Sequence, residues 1–263
     1  MQSSSWMLAS GKGGVGKTTI ASCIALGLAM VGERVAVVDT DIGLRDMDAI
    51  LGLENHIIYD ICNVAEKECK LTDALIQHPK YPGLSLLPAA QFRRVKDINH
   101  DDIEKIVRKL KTRFSYVIID CSAGIERGLG NTIDVADEII IVTTPDDMSI
   151  RDADQTVSYL MRKNQPKPWL IVNQLLPKLI KAGEMYTADT IAQILDLSLL
   201  GAVPRDDKII RALLTHTLPM DTHGLASASI KRIVNRMRGN FTGVPPMGVE
   251  TTLKSRLRWR VRR

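Results

Sequence analysis

The feature that most constrains this chain is a glycine-rich loop near its N-terminus, residues 11–19, with the sequence GKGGVGKTT. It fits the pattern G-x-x-x-x-G-K-[ST], which binds phosphate when a buried strand precedes it and a helix follows it. The apolar run 6–9 predicts such a strand, and the periodic segment 20–30 predicts such a helix. Glycines let several backbone N–H groups point at phosphate oxygens, beside the positive end of the helix. The loop therefore predicts a nucleoside triphosphate site.

Two side chains of the loop have specific predicted roles. Lys17 is placed to reach the β- and γ-phosphates, and the Thr18 hydroxyl to ligate Mg²⁺. The candidate nucleotide-binding residues of the loop are Gly11, Lys12, Gly13, Gly14, Val15, Gly16, Lys17, Thr18 and Thr19.

Buried-strand patterns alternate with helical patterns along most of the 263 residues. This alternation predicts an α/β fold of the P-loop type, a three-layer sandwich in which a mostly parallel central sheet has helices on both faces. The predicted strands are 6–9, 35–39, 84–88, 116–120, 138–143, 170–173 and 199–203, and the predicted helices are 18–31, 101–111, 150–163, 188–195, 206–216 and 225–237. We expect a domain over 1–240, a linker over 241–252 and a separate tail over 253–263.

The composition indicates a cytoplasmic protein. No apolar run reaches the roughly 18 residues that a membrane-spanning helix needs, and residues 1–5 do not resemble a secretory signal. The four cysteines have no C-x-x-C spacing, so we expect reduced thiols rather than disulfides or a metal site.

Acidic residues follow two of the predicted strands. Asp120 ends the strand 116–120 in the manner of a Walker B acid, and Asp39 and Asp41 follow the strand 35–39. A single aspartate after a strand is about as often a helix cap or turn residue as it is a functional residue. Several acids and a phosphate loop at one edge of a parallel sheet instead favour a metal and catalytic site. We predict Thr18, Asp41 and Asp120 as metal ligands, with Asp41 also orienting or deprotonating the attacking water.

Lys12 is a second lysine in a loop that needs only Lys17 to hold phosphate. It is either a solvated loop residue or a residue that acts on the charge that develops during phosphoryl transfer. In the second case it can act across a dimer interface, as a basic finger supplied in trans does. The predicted catalytic residues are Lys12, Asp41 and Asp120.

The segments GKGGVGKTT, DTDIGLR and DCSAGIE, which begin at Gly11, Asp39 and Asp120, resemble the deviant-Walker-A P-loop ATPases over about residues 6–238. The resemblance implies ATP and Mg²⁺ as cofactors, and it implies that Lys12 contacts phosphate across an ATP-sandwich homodimer. It also implies that Asp41 is the water-positioning acid of switch I and that Asp120 belongs to switch II. In the base site it implies that Asn173 reads adenine and that Pro204 and Asp206 lie in a loop that packs the base.

Three residues depart from the family pattern. Ser122 replaces a proline, Gln174 replaces an arginine, and Arg205 occupies a position that is usually acidic. The departures concern switch II and the base site. They leave the phosphate-binding residues unchanged.

The positive charge of the chain is concentrated in its last eleven residues. They hold six basic and no acidic side chains, so the rest of the chain has a net charge of −1 although the whole carries +5. The tail is cationic, with leucines and a tryptophan, which suits an anionic membrane surface whether it forms a helix or an extended strand. Alternatives are a solvated tail or a nucleic-acid arm. The predicted membrane-binding residues are Leu253, Lys254, Arg256, Leu257, Arg258, Trp259, Arg260 and Val261.

The resemblance implies an ATPase that dimerises on binding ATP, attaches reversibly to the inner face of the cell membrane and controls septum placement. Its implied partners are a second copy, a MinC-like division inhibitor, a MinE-like activator and the anionic membrane. The alternative is a ParA-like or flagellar-number ATPase that acts on DNA or a polar structure, which the near-neutral body disfavours. An iron–sulfur carrier ATPase ranks last, because the cysteines lack the paired spacing.

Overall fold

The computed structural model describes residues 3–43, 45–91, 98–124, 130, 132–240 and 243–244. The strands are β1 (Ser4–Ala9), β2 (Val35–Asp39), β3 (Ile76–Gln77), β4 (Leu84–Leu87), β5 (Tyr116–Asp120), β6 (Glu138–Thr143), β7 (Trp169–Leu175) and β8 (Ser198–Pro204). The helices are α1 (Lys17–Met30), α2 (Asp46–Leu51), α3 (Ile61–Ala65), α4 (Leu71–Ala74), α5 (His100–Lys111), α6 (Asp147–Arg162), α7 (Pro177–Ala182), α8 (Ala188–Ile194), α9 (Asp207–Leu214) and α10 (Leu225–Met237). Single 3₁₀ turns cover Glu54–His56 and Pro219–Asp221.

The strands form one sheet in the order β3-β4-β2-β5-β1-β6-β7-β8. In the part of the chain that the structure describes, β3 and β4 pair antiparallel and the other neighbours pair parallel. Helices α5, α6 and α8 cover one face of the sheet, and α1 and α10 cover the other. The predicted three-layer α/β fold is confirmed.

The buried strands explain why this fold forms. Apart from β3 and one or two residues at some strand ends, their side chains are buried almost without interruption, as expected for strands covered by helices on both faces. The predicted bounds of β2, β5 and β6 agree with the structure residue for residue. Helix α6 begins three residues earlier than predicted, because Asp146 caps it by accepting a hydrogen bond from the Ser149 amide at 2.9 Å.

The strand order sets the position of the candidate site. Strand β5 lies between β1 and β2, and Asp120 is in register with Leu8 on one side and Asp39 on the other. The segments that follow these three parallel strands therefore meet at one edge of the sheet. This edge carries the glycine-rich loop, Asp41 and the segment after Asp120.

Two parts of the predicted domain organisation lie largely outside the described residues. Of the linker 241–252, only Gly243 and Val244 are described, and Val244 packs against the core on the α5 and α6 face. The whole tail 253–263, with its predicted membrane-binding residues, lies outside them, so the domain division stays a prediction. Among the helices that are described, none has the length and apolar character needed to cross a membrane.

Candidate nucleotide-binding site

The backbone of the glycine-rich loop adopts a conformation that favours glycine. Gly16 has a φ of 85° and precedes the first residue of α1, and its carbonyl accepts the first helical bond, from Ile20 N. A Cβ atom there would lie 2.5 Å from Asn173 Nδ2. At Gly11 a Cβ atom would lie 2.3 Å from the carbonyl group of Asp152. The loop is therefore wedged between the start of α1, β7 and α6, with its N–H groups at a helix N-terminus.

Lys17 and Asp120 form a buried ion pair at the centre of the site. The distance from Lys17 Nζ to Asp120 Oδ1 is 2.7 Å, and the side chains are 6% and 0% exposed. Burial lowers the pKa of Lys17, but the attraction of Asp120 outweighs it and the pKa is raised. Burial also raises the pKa of Asp120, against the opposing effect of Lys17. In this structure the lysine that is predicted to hold phosphate is held by the acid that is predicted to hold the metal.

Asp39 is hydrogen-bonded to the backbone of Asp41. Its Oδ1 accepts a hydrogen bond from the Asp41 backbone N–H at 2.9 Å, and the side chain is buried. Burial and the neighbouring charge of Asp120 raise the pKa of Asp39 well above its usual range. Asp39 thus orients the segment that carries Asp41. No separate role for Asp39 was predicted from the sequence, although its place at the end of a buried strand was the available signal.

A cavity of about 500 Å³ adjoins these side chains. Its walls come from the glycine-rich loop, from the segment after β2 and from the segment after β5. The lining residues are Ser10, Lys12, Gly13, Gly14, Val15, Lys17, Thr18, Asp41, Ile42, Gly43, Asp46, Ser122 and Ala123. The structure therefore brings six of the nine predicted loop residues together with Asp41 around one cavity, beside the buried Asp120 that Lys17 contacts. The other three, Gly11, Gly16 and Thr19, do not line this cavity.

The oxygen atoms of the site fit a magnesium ion. Asp120 Oδ2 is buried and has no hydrogen-bond partner in the described structure, so it can accept one from a metal-bound water. Thr18 and Asp41 add a hydroxyl and a carboxylate on the wall of the same cavity. Such a set of hard oxygen donors with room for water suits Mg²⁺. No cluster of three or more histidine, cysteine or acidic side chains suited to a metal occurs among the described residues.

Lys12 lies apart from the buried pair, on the rim of the cavity. Its Nζ is 3.3 Å from Asp146 Oδ1, and the two side chains are 34% and 52% exposed. Asp146 also accepts hydrogen bonds from the Thr144 hydroxyl at 2.7 Å and from the Ser149 hydroxyl at 2.6 Å. Burial raises the pKa of Asp146, but these bonds outweigh it and hold the pKa below its usual range. Asp146 was not predicted from the sequence, where its signal was the helix-capping pattern Asp-x-x-Ser at 146–149.

The predicted base-site residues are engaged within the protein. Asn173 Nδ2 donates to the Val15 carbonyl at 2.8 Å and so fixes the glycine-rich loop to β7. Pro204 ends β8, in register with Leu175. Asp206 caps α9 and accepts a further hydrogen bond from the first turn of α10. None of these three predicted residues lines the cavity, and their roles toward a base stay predictions.

A protein-family model described as an AAA domain matches residues 6–167, which is more than half of the chain. This match, together with the glycine-rich loop and the aspartates at the strand ends, defines the chain as a P-loop ATPase. The septum site-determining protein MinD of Bacillus subtilis (strain 168) is 43% identical over 237 residues, covering 89% of this chain and 88% of that protein. MinD of Synechocystis sp. is 39% identical over 261 residues, covering 97% of each. The chain belongs to the MinD/ParA family, in its MinD branch, as the sequence motifs predicted.

Solved structures agree with this assignment. The MinD cell division protein of Aquifex aeolicus superimposes with a TM-score of 0.84 at 32% identity, over 92% of this chain and 99% of that one. A MinC:MinD cell division protein complex from the same organism gives a TM-score of 0.86 at 33% identity, over 92% and 98%. A MinD from Pyrococcus horikoshii OT3, solved with Mg-ADP, shares the fold at 21% identity and a TM-score of 0.79.

Proposed function

We propose that this protein is a magnesium-dependent ATPase that dimerises when it binds ATP and places the division septum by acting on the membrane. The observation that carries the proposal is the separation of two lysines around one cavity. Lys17 is buried on Asp120, whereas Lys12 is partly exposed on the rim. A lysine on the rim is accessible to a second molecule, and a buried lysine is not.

The residues of the site can divide the chemistry among them. The loop N–H groups and Lys17 hold the phosphates of ATP, and Lys17 must leave Asp120 in part to do so. Asp41, oriented by Asp39, accepts the proton of the attacking water as the oxygen–phosphorus bond to water forms and the bond to ADP breaks. Mg²⁺ held through Thr18, Asp41 and Asp120 supplies charge neutralisation. Lys12 of a second copy adds positive charge where negative charge develops, which speeds the transfer.

Dimerisation couples the nucleotide to the membrane through the tails. Each basic residue near an anionic surface contributes about 1 kcal/mol, so one tail of six gives at most about 6 kcal/mol before its ordering entropy is subtracted. A single tail therefore binds weakly and reversibly. Two tails on one dimer bind with avidity, and hydrolysis that separates the dimer releases them.

The membrane-bound dimer then recruits a MinC-like inhibitor and responds to a MinE-like activator, without which turnover is slow. The Aquifex aeolicus relative, which forms a MinC:MinD complex, supports the first of these partners. The resulting location is the cytoplasm and the inner face of the membrane. A ParA-like role on DNA is the alternative, because a basic tail also suits nucleic acid.

Sedimentation with vesicles tests the proposal. The protein is mixed with anionic vesicles or with DNA, in ATP or ADP, with and without residues 253–263. We expect ATP-dependent pelleting with vesicles that requires the tail. Pelleting with DNA alone would overturn the membrane role in favour of the alternative.

The variant Lys12→Ala tests the dimer mechanism. It should abolish ATP-dependent dimerisation and pelleting while nucleotide binding is kept within a few-fold. Lys167→Ala is the matched control, because Lys167 also forms an exposed ion pair with an aspartate, Asp196, at 2.6 Å. It should behave as wild type. An equal loss of ATP binding in Lys12→Ala would show that Lys12 belongs only to the phosphate cradle of its own molecule.

A further inference from the structure

Ser122 occupies a distinctive place in the site. It lies two residues beyond Asp120, just after β5 ends, and β5 lies between β1 and β2. The segment after β5 is therefore flanked by the glycine-rich loop, which follows β1, and by the segment of Asp41, which follows β2. Ser122 lines the cavity together with both of them. It thus stands between the residues that hold the phosphates and the residue that is proposed to activate water.

The hydroxyl of Ser122 lacks a hydrogen-bond partner. The residue is 7% exposed, and its Oγ is buried with no partner in the described structure. Other serines near the loop are satisfied, since Ser10 Oγ donates to the Lys12 carbonyl at 3.0 Å and Ser22 Oγ to the Thr18 carbonyl at 2.8 Å. A buried hydroxyl without a partner destabilises the protein, and such groups are uncommon in folded proteins. Their presence in a site calls for a ligand that completes them.

We propose that the Ser122 hydroxyl donates a hydrogen bond to an oxygen of the terminal phosphate of bound ATP and so positions that phosphate. The inference rests on the proposed ATPase function. Rotation about χ1 moves Oγ between staggered positions without a backbone shift, and Ser122 is a lining residue of the cavity. Asp120 Oδ2, another buried atom without a partner, lies beside the cavity; it is an acceptor and is suited to metal-bound water instead.

The proposed bond is a property of this chain. The proline usual at this position in the deviant-Walker-A ATPases has neither a hydroxyl nor a backbone N–H and can donate no hydrogen bond. ADP lacks the γ-phosphate, which is the terminal phosphate of ATP, and so cannot receive the bond. Ser122 should therefore contribute to the discrimination of ATP from ADP more than to the affinity for the nucleotide as a whole.

The test compares wild type with Ser122→Ala in three measurements: thermal unfolding without nucleotide, and the Kd of the Mg²⁺ complexes of ADP and of a non-hydrolysable ATP analogue. Removing an unsatisfied hydroxyl should leave the Tm without nucleotide unchanged or higher. The Kd for ADP should stay within about twofold. The Kd for the ATP analogue should rise at least about tenfold, the lower end of the range for one hydrogen bond to a charged group.

Ser227→Ala is the matched control. Ser227 is also buried, but its Oγ is hydrogen-bonded with Thr222 Oγ1 at 2.9 Å. This variant should lower the Tm and leave the ratio of the two Kd values unchanged. The proposal is overturned if Ser122→Ala behaves in the same way, or if it weakens ADP and the ATP analogue equally. If wild type binds the ATP analogue and Ser122→Ala matches it, only this inference fails. If wild type binds no ATP analogue, the proposed function fails and this inference with it.

Discussion

Replacing Asp146 by asparagine should tighten the ATP-dependent dimer. In the proposed mechanism the Lys12 amine contacts the phosphate that is bound by the other copy. Its ion pair with Asp146, at 3.3 Å, must therefore break when the dimer forms. Asparagine removes the charge but keeps an oxygen that can accept from the Ser149 amide, so the cap of α6 is largely retained. The Thr144 and Ser149 hydroxyls can rotate and accept from the new amide group.

The magnitude follows from the exposure of the pair. Ion pairs as exposed as this one contribute at most about 1 kcal/mol. A symmetric dimer breaks two of them, so up to about 2 kcal/mol opposes association. Releasing it should lower the dimer Kd by up to about 30-fold. The effect should shrink with added salt, because the screening length falls from about 10 Å at 0.1 M to about 3 Å at 1 M.

Sedimentation equilibrium with a non-hydrolysable ATP analogue measures the dimer Kd at low and high salt. The control is Asp196→Asn, which removes the acid of another exposed lysine–aspartate pair. Asp196 has a left-handed backbone conformation, with a φ of 51°, and asparagine tolerates this conformation. It should leave the Kd within twofold. A weaker dimer in Asp146→Asn, or the same Kd as in the control, would refute the reasoning that Asp146 restrains Lys12.

Two further predictions concern stability. In Gly201→Ala the new Cβ would lie 2.2 Å from Ile233 Cγ1, so the contact between β8 and α10 must shift. The free energy of unfolding, measured by urea titration, should fall by about 1–3 kcal/mol. A wild-type value would contradict the close packing. Burial raises the pKa of Asp137, but hydrogen bonds donated by Lys111 and Ser5 outweigh it and hold the pKa below its usual range. The stabilisation by ionised Asp137 is therefore present above about pH 4 and is lost as pH falls through the lowered pKa. Because Asp137 is 45% exposed and solvent screens its contacts, Asp137→Asn should cost only about 0.5–1 kcal/mol at pH 7, and urea titrations should find a smaller difference from wild type at pH 3; a constant difference would refute the linkage.

Long apolar strands and long amphipathic helices could be predicted from the sequence, some of them with the bounds that the structure shows. The segments Val35–Asp39, Tyr116–Asp120 and Leu225–Met237 were predicted residue for residue, because burial on two faces and a 3.6-residue period leave clear patterns. The antiparallel strand β3 and the short helices α2, α3, α4 and α7 were not predicted. Two to six residues are too few to establish a period, and these elements depend on the partners against which they pack.

The candidate site was predictable where one short segment contains both the motif and its context. The loop that begins at Gly11 and the strand-end acids are such segments, and the comparisons with MinD relatives bear out the family to which they pointed. Gln174 was noted only as a departure from the family pattern. In the structure it has a positive φ of 58°, and its Nε2 donates to the Gly14 carbonyl, so it supports the loop from β7.

The sequence by itself determined that a phosphate-binding loop and two strands that end in aspartates occur in one α/β domain, because each is a local pattern of residue types. Only the tertiary structure decided how these parts meet. The placement of β5 between β1 and β2 pairs Lys17 with Asp120, and the packing of α6 on the sheet places Asp146 beside Lys12, 134 positions earlier in the chain. Strand order and helix packing are set by the burial of the whole core, which no local pattern encodes. For this reason the two lysines of one loop, five positions apart in the sequence, have different surroundings, one in the core and one on the rim.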